Sequence, residues 1–228
     1  MSRDRSSAFE VGTHTGPADE LHAREFPVPP TRQVWILGVT RPALVLGSSQ
    51  DPAIVDAAAC AQRGVDVVKR RSGGGLVLLE PDAQAWVDVV IPTGDPHWVE
   101  DVSKAFGWLG EAWQAALRSL GVETRIVTGR LEVGSWGQLV CFAGSGQGEL
   151  LLGGSKVVGM SLRRTREGAR FQTTALAAWR PERLLPLLAP GVVYPEELLA
   201  GIAASGAGLD IAPSVLANAL VAELALRR

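Results

Sequence analysis

The sequence predicts an α+β fold in which a mixed, largely antiparallel sheet is packed with helices. Short runs rich in β-branched residues alternate along the chain with amphipathic runs, so both strands and helices are expected. Strand-like residues 149–152, 156–162 and 169–177 follow one another across turns of only a few residues. Such short turns join antiparallel strands, because a parallel pair needs a long crossover. The sheet is therefore expected to be mixed and not doubly wound.

The N-terminal half predicts strands separated by short helices. Residues 1–16 are polar and contain glycine, which predicts a flexible N-terminus ahead of a single domain over residues 17–228. Asp51 is expected to cap a helix that Pro52 opens and Gly64 ends. Strands are expected over residues 33–39, 43–47, 65–68, 76–79 and 86–91, and helices over 17–25 and 52–63.

The clearest helix is predicted over residues 102–120. Apolar side chains recur there at three- and four-residue spacing, and Gly121 ends the pattern. Trp113 lies on this apolar stripe and is expected in the core. Turns are assigned to residues 153–154 and 166–168, and helical segments to residues 181–189, 195–204 and 213–226.

Composition argues against several classes of function. The net charge of −2 is unsuited to binding nucleic acid through bulk electrostatics. No run approaches the length of apolar residues that a membrane span needs. Two cysteines, Cys60 and Cys141, do not make a disulfide framework, and the first residues lack an apolar signal segment, so a reducing cytoplasm is expected. The three histidines are scattered, and no Cys/His spacing predicts a metal site.

Two glycine-rich stretches do not meet the requirements of nucleotide-binding motifs. A dinucleotide fingerprint needs a helix after the glycines, but residues 144–148 are followed by the strand-like run 149–152. In residues 153–156 the lysine follows a serine and no helix begins, so a phosphate-binding P-loop is not predicted.

A loop of arginine and glycine carries the first chemical signal. Arg70 and Ser72 lead into three successive glycines, Gly73, Gly74 and Gly75. A backbone without Cβ atoms can approach an anionic ligand closely, and a neighbouring arginine supplies the opposite charge. A tight hairpin is the alternative interpretation.

A lysine on a later strand carries the second signal. Lys156 follows Gly154 and Ser155 and precedes Gly159 in a run of β-branched residues, which places a cation on a strand. A surface lysine is the alternative interpretation. Arg170 belongs to a second basic cluster, which could frame one anionic site together with the cluster at Arg70. A solvated surface charge is the alternative interpretation, and it is favoured more for Arg170 than for Arg70.

Together the two motifs resemble the lipoate/biotin protein ligase catalytic domain family, most closely its lipoate–protein ligases and octanoyltransferases. The resemblance runs from about residue 17 to the final helices. It implies a class II synthetase-like domain that attaches a lipoyl or octanoyl group to a lysine of a lipoyl carrier domain. It also implies that Arg70, the glycine run and Val77 bind the acyl chain and acyl-adenylate. Lys156, within the Gly154–Gly159 segment, would contact the acyl carbonyl and the phosphate.

The resemblance leaves two mechanisms open. The leading prediction is a ligase that activates free lipoate or octanoate with ATP and Mg²⁺ through an acyl-adenylate, because octanoyltransferases tend to carry a bulkier residue where Gly75 stands. The alternative is an octanoyltransferase that forms a thioester on Cys141 with acyl-carrier protein as donor. Cys141 precedes Lys156 by fifteen residues, a spacing similar to that of the cysteine-dependent octanoyltransferases. A thiolate near a cation is a good nucleophile.

Two departures from the family pattern leave a third alternative open. Leu79 and Gln172 stand where the family usually has histidines. The chain is therefore also compatible with a divergent, non-catalytic protein that binds an acyl-adenylate or a carrier. The implied carriers are the lipoyl domains of 2-oxoacid dehydrogenases and the glycine cleavage H protein. Trp86 is a candidate for lining an apolar slot, with core packing as the alternative, and no structural metal is expected.

Overall fold

The computed structural model of the protein describes residues 8–129, 136–192 and 195–227. The strands are β1 (Glu10–Gly16), β2 (Gln33–Val39), β3 (Ala43–Leu46), β4 (Asp66–Lys69), β5 (Val77–Leu79), β6 (Gln84–Pro92), β7 (Arg125–Ile126), β8 (Leu150–Leu152), β9 (Ser155–Arg164) and β10 (Gly168–Leu176). The α-helices are α1 (Ala18–Ala23), α2 (Ala57–Gln62), α3 (Gly107–Ser119), α4 (Pro195–Ser205) and α5 (Pro213–Leu226).

The strands form two sheets of mixed direction. A seven-stranded sheet has the order β1-β2-β6-β10-β9-β8-β7, in which only the β1–β2 pair is parallel. A three-stranded sheet has the order β4-β3-β5, with β3 parallel to β4 and antiparallel to β5. The predicted α+β class and the antiparallel order of the last three long strands are confirmed.

The two faces of the large sheet are covered by different layers. Helices α3 and α5 pack on one face, where Trp113 is fully buried as predicted. On the other face, side chains of β2 and β6 pack with α1 and with the small sheet. Alternation along β6 sends Trp86 toward the second layer and Val87 toward the helices. The space between the large sheet and the small sheet is where the candidate site lies.

Local signals account for several boundaries. Asp51 accepts a hydrogen bond from the Ala53 backbone, as the predicted cap should, but the chain makes only a 3₁₀ turn there. The helix expected over 52–63 begins again at α2, which Asp56 caps. The predicted hairpin turn is present, with positive φ at Gly153 and Gly154.

Two further expectations are corrected by the structure. Residues 10–16, part of the segment expected to be flexible, form edge strand β1, whose ladder with β2 supplies the backbone hydrogen bonds that a polar segment still needs. Residues 1–7 of that segment lie outside the described residues. The helix expected over 181–189 is replaced by 3₁₀ turns at Pro181–Arg183 and Leu185–Leu187, because Pro186 cannot donate the bond that a continuous helix requires. No helix in the described ranges combines the length and apolar character needed to cross a membrane.

Candidate active site

A mostly apolar cavity lies between the large sheet, the small sheet and the segment around residue 141. The empty space in and around it amounts to about 420 Å³, a volume that includes open solvent at its mouth. No carboxylate is among the side chains that line it: His22, Arg70, Val77, Leu79, Trp86, Cys141, Phe142, Gly159, Met160, Ser161, Gln172 and Thr174.

Cys141 reaches the cavity because the glycine loop packs directly against its backbone. The Cys141 amide donates to the Leu76 carbonyl at 2.9 Å, and the Leu76 amide donates to the Leu139 carbonyl at 2.8 Å. A Cβ added at Gly75 would come within 2.6 Å of the Val140 carbonyl carbon. Glycine at position 75 is therefore required by the packing of this chain on itself, and it leaves the half-buried thiol of Cys141 at the cavity wall.

Lys156 lies beneath Cys141 and is held by a carboxylate. Its ammonium donates to the Cys141 carbonyl at 2.5 Å and to Glu149 Oε2 at 3.0 Å. Glu149 also accepts from the backbone amides of Gly146 and Met160, so both of its oxygens are used. The Lys156 and Glu149 side chains are 3% and 7% exposed, which makes this a buried, hydrogen-bonded ion pair.

Arg70 is buried without such a partner. Its Nη2 donates to the carbonyls of Gly73 and Gly75, at 2.8 and 2.9 Å, and so shapes the glycine loop. No carboxylate of the described residues pairs with it, and its Nε is buried without an acceptor. Burial lowers the pKa of the Arg70 guanidinium, and the charge of Cys141 opposes that shift. The arginine therefore presents an uncompensated positive charge to the cavity that Cys141 shares.

His22 enters the cavity from α1, although the sequence analysis gave it no role. Its ring packs on Trp86 with centroids 4.5 Å apart, and its Nδ1 lies 3.2 Å from Gln172 Nε2. Burial lowers the pKa of His22 to about 3, aided by the positive charges of Arg170 and Arg70. The ring is thus neutral over the physiological range, and its Nε2 is buried without a partner.

Beneath His22 lies a second buried ion pair that the sequence analysis did not predict. Arg170 and Asp88 are 1% and 0% exposed, with Arg170 Nε at 2.6 Å from Asp88 Oδ2. Arg170 also donates to carbonyls of the α1 region, including that of Leu21 at 2.8 Å. The interpretation of Arg170 as a surface charge is therefore wrong. A signal was available for one partner, since Asp88 is a lone charge within a strand-like apolar run.

Only some of the other predicted site residues line the cavity. Val77 and Gly159 line it, and Trp86 lines it as the candidate slot residue. Ser72 lies behind it, bonded to Gln172, while Gly73 is exposed and Gly74 packs against Gly47. Gly154 is in the β8–β9 turn and Ser155 begins β9, and neither is among the lining residues. The Ser155 hydroxyl donates to the Ala204 carbonyl of α4.

The side chains of the site do not fit a protein-held Mg²⁺. Glu149 is engaged by Lys156, and Asp88 by Arg170 and by Trp86 Nε1 at 2.7 Å. Across residues 8–129, 136–192 and 195–227 no three His, Cys, Asp or Glu side chains converge as metal ligands would.

Comparison with protein families and curated proteins gives consistent matches. The family model described as Lipoyl protein ligase A/B catalytic domain matches residues 18–191. Octanoyltransferase LipM of Moorella thermoacetica is 30% identical over 154 residues, which cover 65% of this chain and 53% of that protein. Octanoyltransferase LipM of Kyrpidia tusciae is 28% identical over 166 residues, covering 71% and 59% respectively. The chain thus spans a little over half the length of both curated relatives.

Solved structures share the fold. A bipartite lipoate protein ligase from Thermoplasma acidophilum superposes with a TM-score of 0.73 at 15% identity, covering 95% of this chain and 82% of that one. A lipoate-protein ligase A bound with ATP superposes with a TM-score of 0.71 at 17% identity, covering 95% and 83%. At these identities the likeness is one of fold.

Proposed function

This chain belongs to the lipoyl protein ligase A/B catalytic domain family, and on that premise we propose that it transfers an octanoyl or lipoyl group to a lysine of a lipoyl carrier domain. We propose that the acyl group passes through a thioester on Cys141, so that the alternative mechanism takes precedence over the ATP-dependent ligase. The observation that carries this choice is the cavity shared by the Cys141 thiol and the buried, carboxylate-free guanidinium of Arg70.

In the first half-reaction the Cys141 thiolate attacks the carbonyl carbon of an acyl thioester donor, for which acyl-carrier protein is the expected class. A C–S bond forms to Cys141 while the C–S bond to the donor thiol breaks. The proton lost by Cys141 ends on the departing thiol. Arg70 is placed to favour this step because it lines the same cavity as Cys141, and a neighbouring cation makes a cysteine a better nucleophile.

In the second half-reaction the amine of a carrier lysine attacks the Cys141 thioester. An amide bond forms, the C–S bond to Cys141 breaks, and the proton that the amine loses restores the thiol. The fold neighbour from Thermoplasma acidophilum was described together with its E2 lipoyl domain, which supports a lipoyl domain as acceptor class. The glycine cleavage H protein remains the other predicted acceptor.

Lys156 has a positioning role in this scheme. Two of its three N–H groups are used by the Cys141 carbonyl and Glu149, which fixes the backbone that carries the nucleophile. Lys156 is 3% exposed and is not among the residues that line the cavity, so it acts in this scheme through the position of Cys141.

The ligase remains the competing function, and one observation favours it. A Cβ at Gly73 would meet nothing within 4 Å, so this part of the loop leaves room for an incoming phosphate. Gly75 does not separate the two mechanisms, since contact with Val140 and Cys141 already requires glycine there.

Mass spectrometry of the intact protein and of a lipoyl domain tests the choice. With octanoyl-acyl-carrier protein as donor, we expect one octanoyl group on Cys141 and then on the carrier lysine. Cys141→Ala should abolish both, whereas the matched variant Cys60→Ala should retain both, because Cys60 is buried in α2 away from the cavity.

The ATP-dependent ligase mechanism predicts the opposite results in these experiments. Acylation of the lipoyl domain from ATP, Mg²⁺ and free octanoate or lipoate, undiminished in Cys141→Ala, would replace the thioester mechanism by the adenylate mechanism. Absence of transfer from either donor, with retained binding of the lipoyl domain, would favour the non-catalytic alternative.

A further inference from the structure

Two buried hydrogen-bond donors without partners belong to side chains that line the same cavity. They are His22 Nε2 and Arg70 Nε. Buried polar atoms in folded proteins almost always have a partner, and leaving one unpaired is destabilising. Two such atoms on one cavity, together with the absence of a lining carboxylate, indicate that the missing acceptor is supplied by a ligand.

The direction of the His22 ring is set by a chain of hydrogen bonds. Ser72 donates to Gln172 Oε1 at 2.8 Å, so the amide nitrogen of Gln172 points away from Ser72. That nitrogen lies 3.2 Å from His22 Nδ1 and donates to it. Since Nδ1 accepts, the single proton of the neutral ring is on Nε2.

The charge state of the ring supports the same assignment. Arg170 and Arg70 both disfavour an imidazolium, and the pKa of about 3 keeps the ring neutral. A neutral ring whose Nδ1 is already occupied cannot take a proton from substrate at Nε2. It can only donate a hydrogen bond from Nε2.

We infer that His22 is a substrate-contacting residue whose Nε2–H, with the Nε–H of Arg70, forms a two-donor site for an oxygen of the acyl group. The inference rests on the proposed function in taking the acyl group as ligand. A carbonyl or carboxylate oxygen can accept from both donors at once. The apolar remainder of the cavity, which includes Leu79 and Met160, suits the alkyl chain.

This assignment also gives a role to the two positions that depart from the family pattern. Leu79 and Gln172, which stand where histidines are expected, both line the cavity into which His22 projects. Gln172 holds the ring through its side-chain amide, while Leu79 contributes apolar wall. The imidazole donor thus comes from α1 and not from a strand of either sheet.

Kinetics of transfer provide the first test. His22→Leu removes the donor and should lower kcat by roughly 100-fold, the usual effect of losing one preorganised donor. His22→Gln keeps an N–H of similar reach and should recover at least 10-fold of that loss, which a purely structural ring would not do. The matched variant His97→Leu should leave kcat unchanged, since His97 also has a buried, unpartnered Nε2 but stacks on Trp108 outside the cavity.

Calorimetric titration of octanoate into the purified protein separates this inference from the proposed function. The donor pair predicts that octanoate binds at least 10-fold more weakly to His22→Leu than to the wild type or to His97→Leu. That result without any acyl transfer would remove the transferase while leaving the donor site in place. Equal octanoate affinity in wild type and His22→Leu, at unchanged thermal stability, would overturn the inference.

Discussion

Lys156 and Arg70 are both buried cations on the two sides of Cys141, but their surroundings differ. Lys156 has Glu149 at 3.0 Å and the Cys141 carbonyl at 2.5 Å. Arg70 has two loop carbonyls and no carboxylate among the described residues, and its Nε is unpaired. The charge of Lys156 is therefore neutralised within the protein, whereas the charge of Arg70 is left for a ligand to neutralise.

The difference separates structural from chemical roles. A buried cation with a counterion has a structural role, because removing either partner leaves the other charge buried and uncompensated. A buried cation without a counterion is destabilising unless something else brings a negative charge or an oxygen to it. On this reasoning the Lys156 pair holds Cys141, and Arg70 acts on the thiolate and the acyl group.

The largest effect is expected from breaking the satisfied pair. Lys156→Met leaves Glu149 buried and charged, so the free energy of unfolding should fall by about 3–5 kcal/mol. Urea denaturation measures this, and the double variant Lys156→Met/Glu149→Gln should recover most of the loss because no isolated charge remains. If the single and double variants are equally unstable, the ion pair does not have the structural role assigned to it.

The next largest effect is expected on the rate of acyl transfer, in the variant Arg70→Met. Transfer to the lipoyl domain should fall by about 10²–10³-fold, equivalent to about 3–4 kcal/mol of transition-state stabilisation. The free energy of unfolding should change less than in Lys156→Met, because no buried carboxylate is stranded. Arg70→Lys keeps the charge without the guanidinium fork and should be intermediate. A rate within threefold of wild type for Arg70→Met would contradict the comparison.

Lowering the pH should reduce the free energy of unfolding, because His22 is held neutral in the folded protein. The unfolded His22 titrates near 6.5, whereas burial and the charges of Arg170 and Arg70 lower its folded pKa to about 3. Between these values the unfolded state binds the extra proton, so stability falls as pH falls, by about 1.4 kcal/mol per pH unit.

At pH 5 the wild type should therefore lose about 2 kcal/mol more, relative to pH 7, than His22→Gln loses. Denaturant melts of both proteins at both pH values measure this difference, in which the contributions of shared groups cancel. Parallel losses in the two proteins would show that His22 is not held neutral by its surroundings.

The smallest effect is expected at the far end of the hydrogen-bond chain. Ser161 Oγ lies 3.0 Å from Ser72 Oγ, and it must be the donor because Ser72 donates to Gln172. Ser161→Ala removes one hydrogen bond and should cost about 0.5–1.5 kcal/mol of unfolding free energy. Octanoate affinity should fall less than threefold. A loss of octanoate affinity as large as that in His22→Leu would mean that the hydrogen-bond chain, and not the His22 ring, determines binding.

Much of the architecture was predictable because its causes are local. The stripe through Trp113, the turn at Gly153 and Gly154 and the cap at Asp51 all follow from side chains within a few residues of one another. Strand β1 was missed because its polar residues carry no alternating pattern, and its order comes from pairing with β2.

The α+β class and the main strands could be predicted from residue patterns, and the family resemblance placed Arg70, Cys141 and Lys156 in one predicted site. Which charges are paired there depends on the tertiary structure. Gln172 meets His22 across 150 positions of sequence, and Arg170 meets Asp88 across 82. Partners so far apart are chosen by strand order and by the burial that excludes water, and neither of these can be read from spacing along the chain.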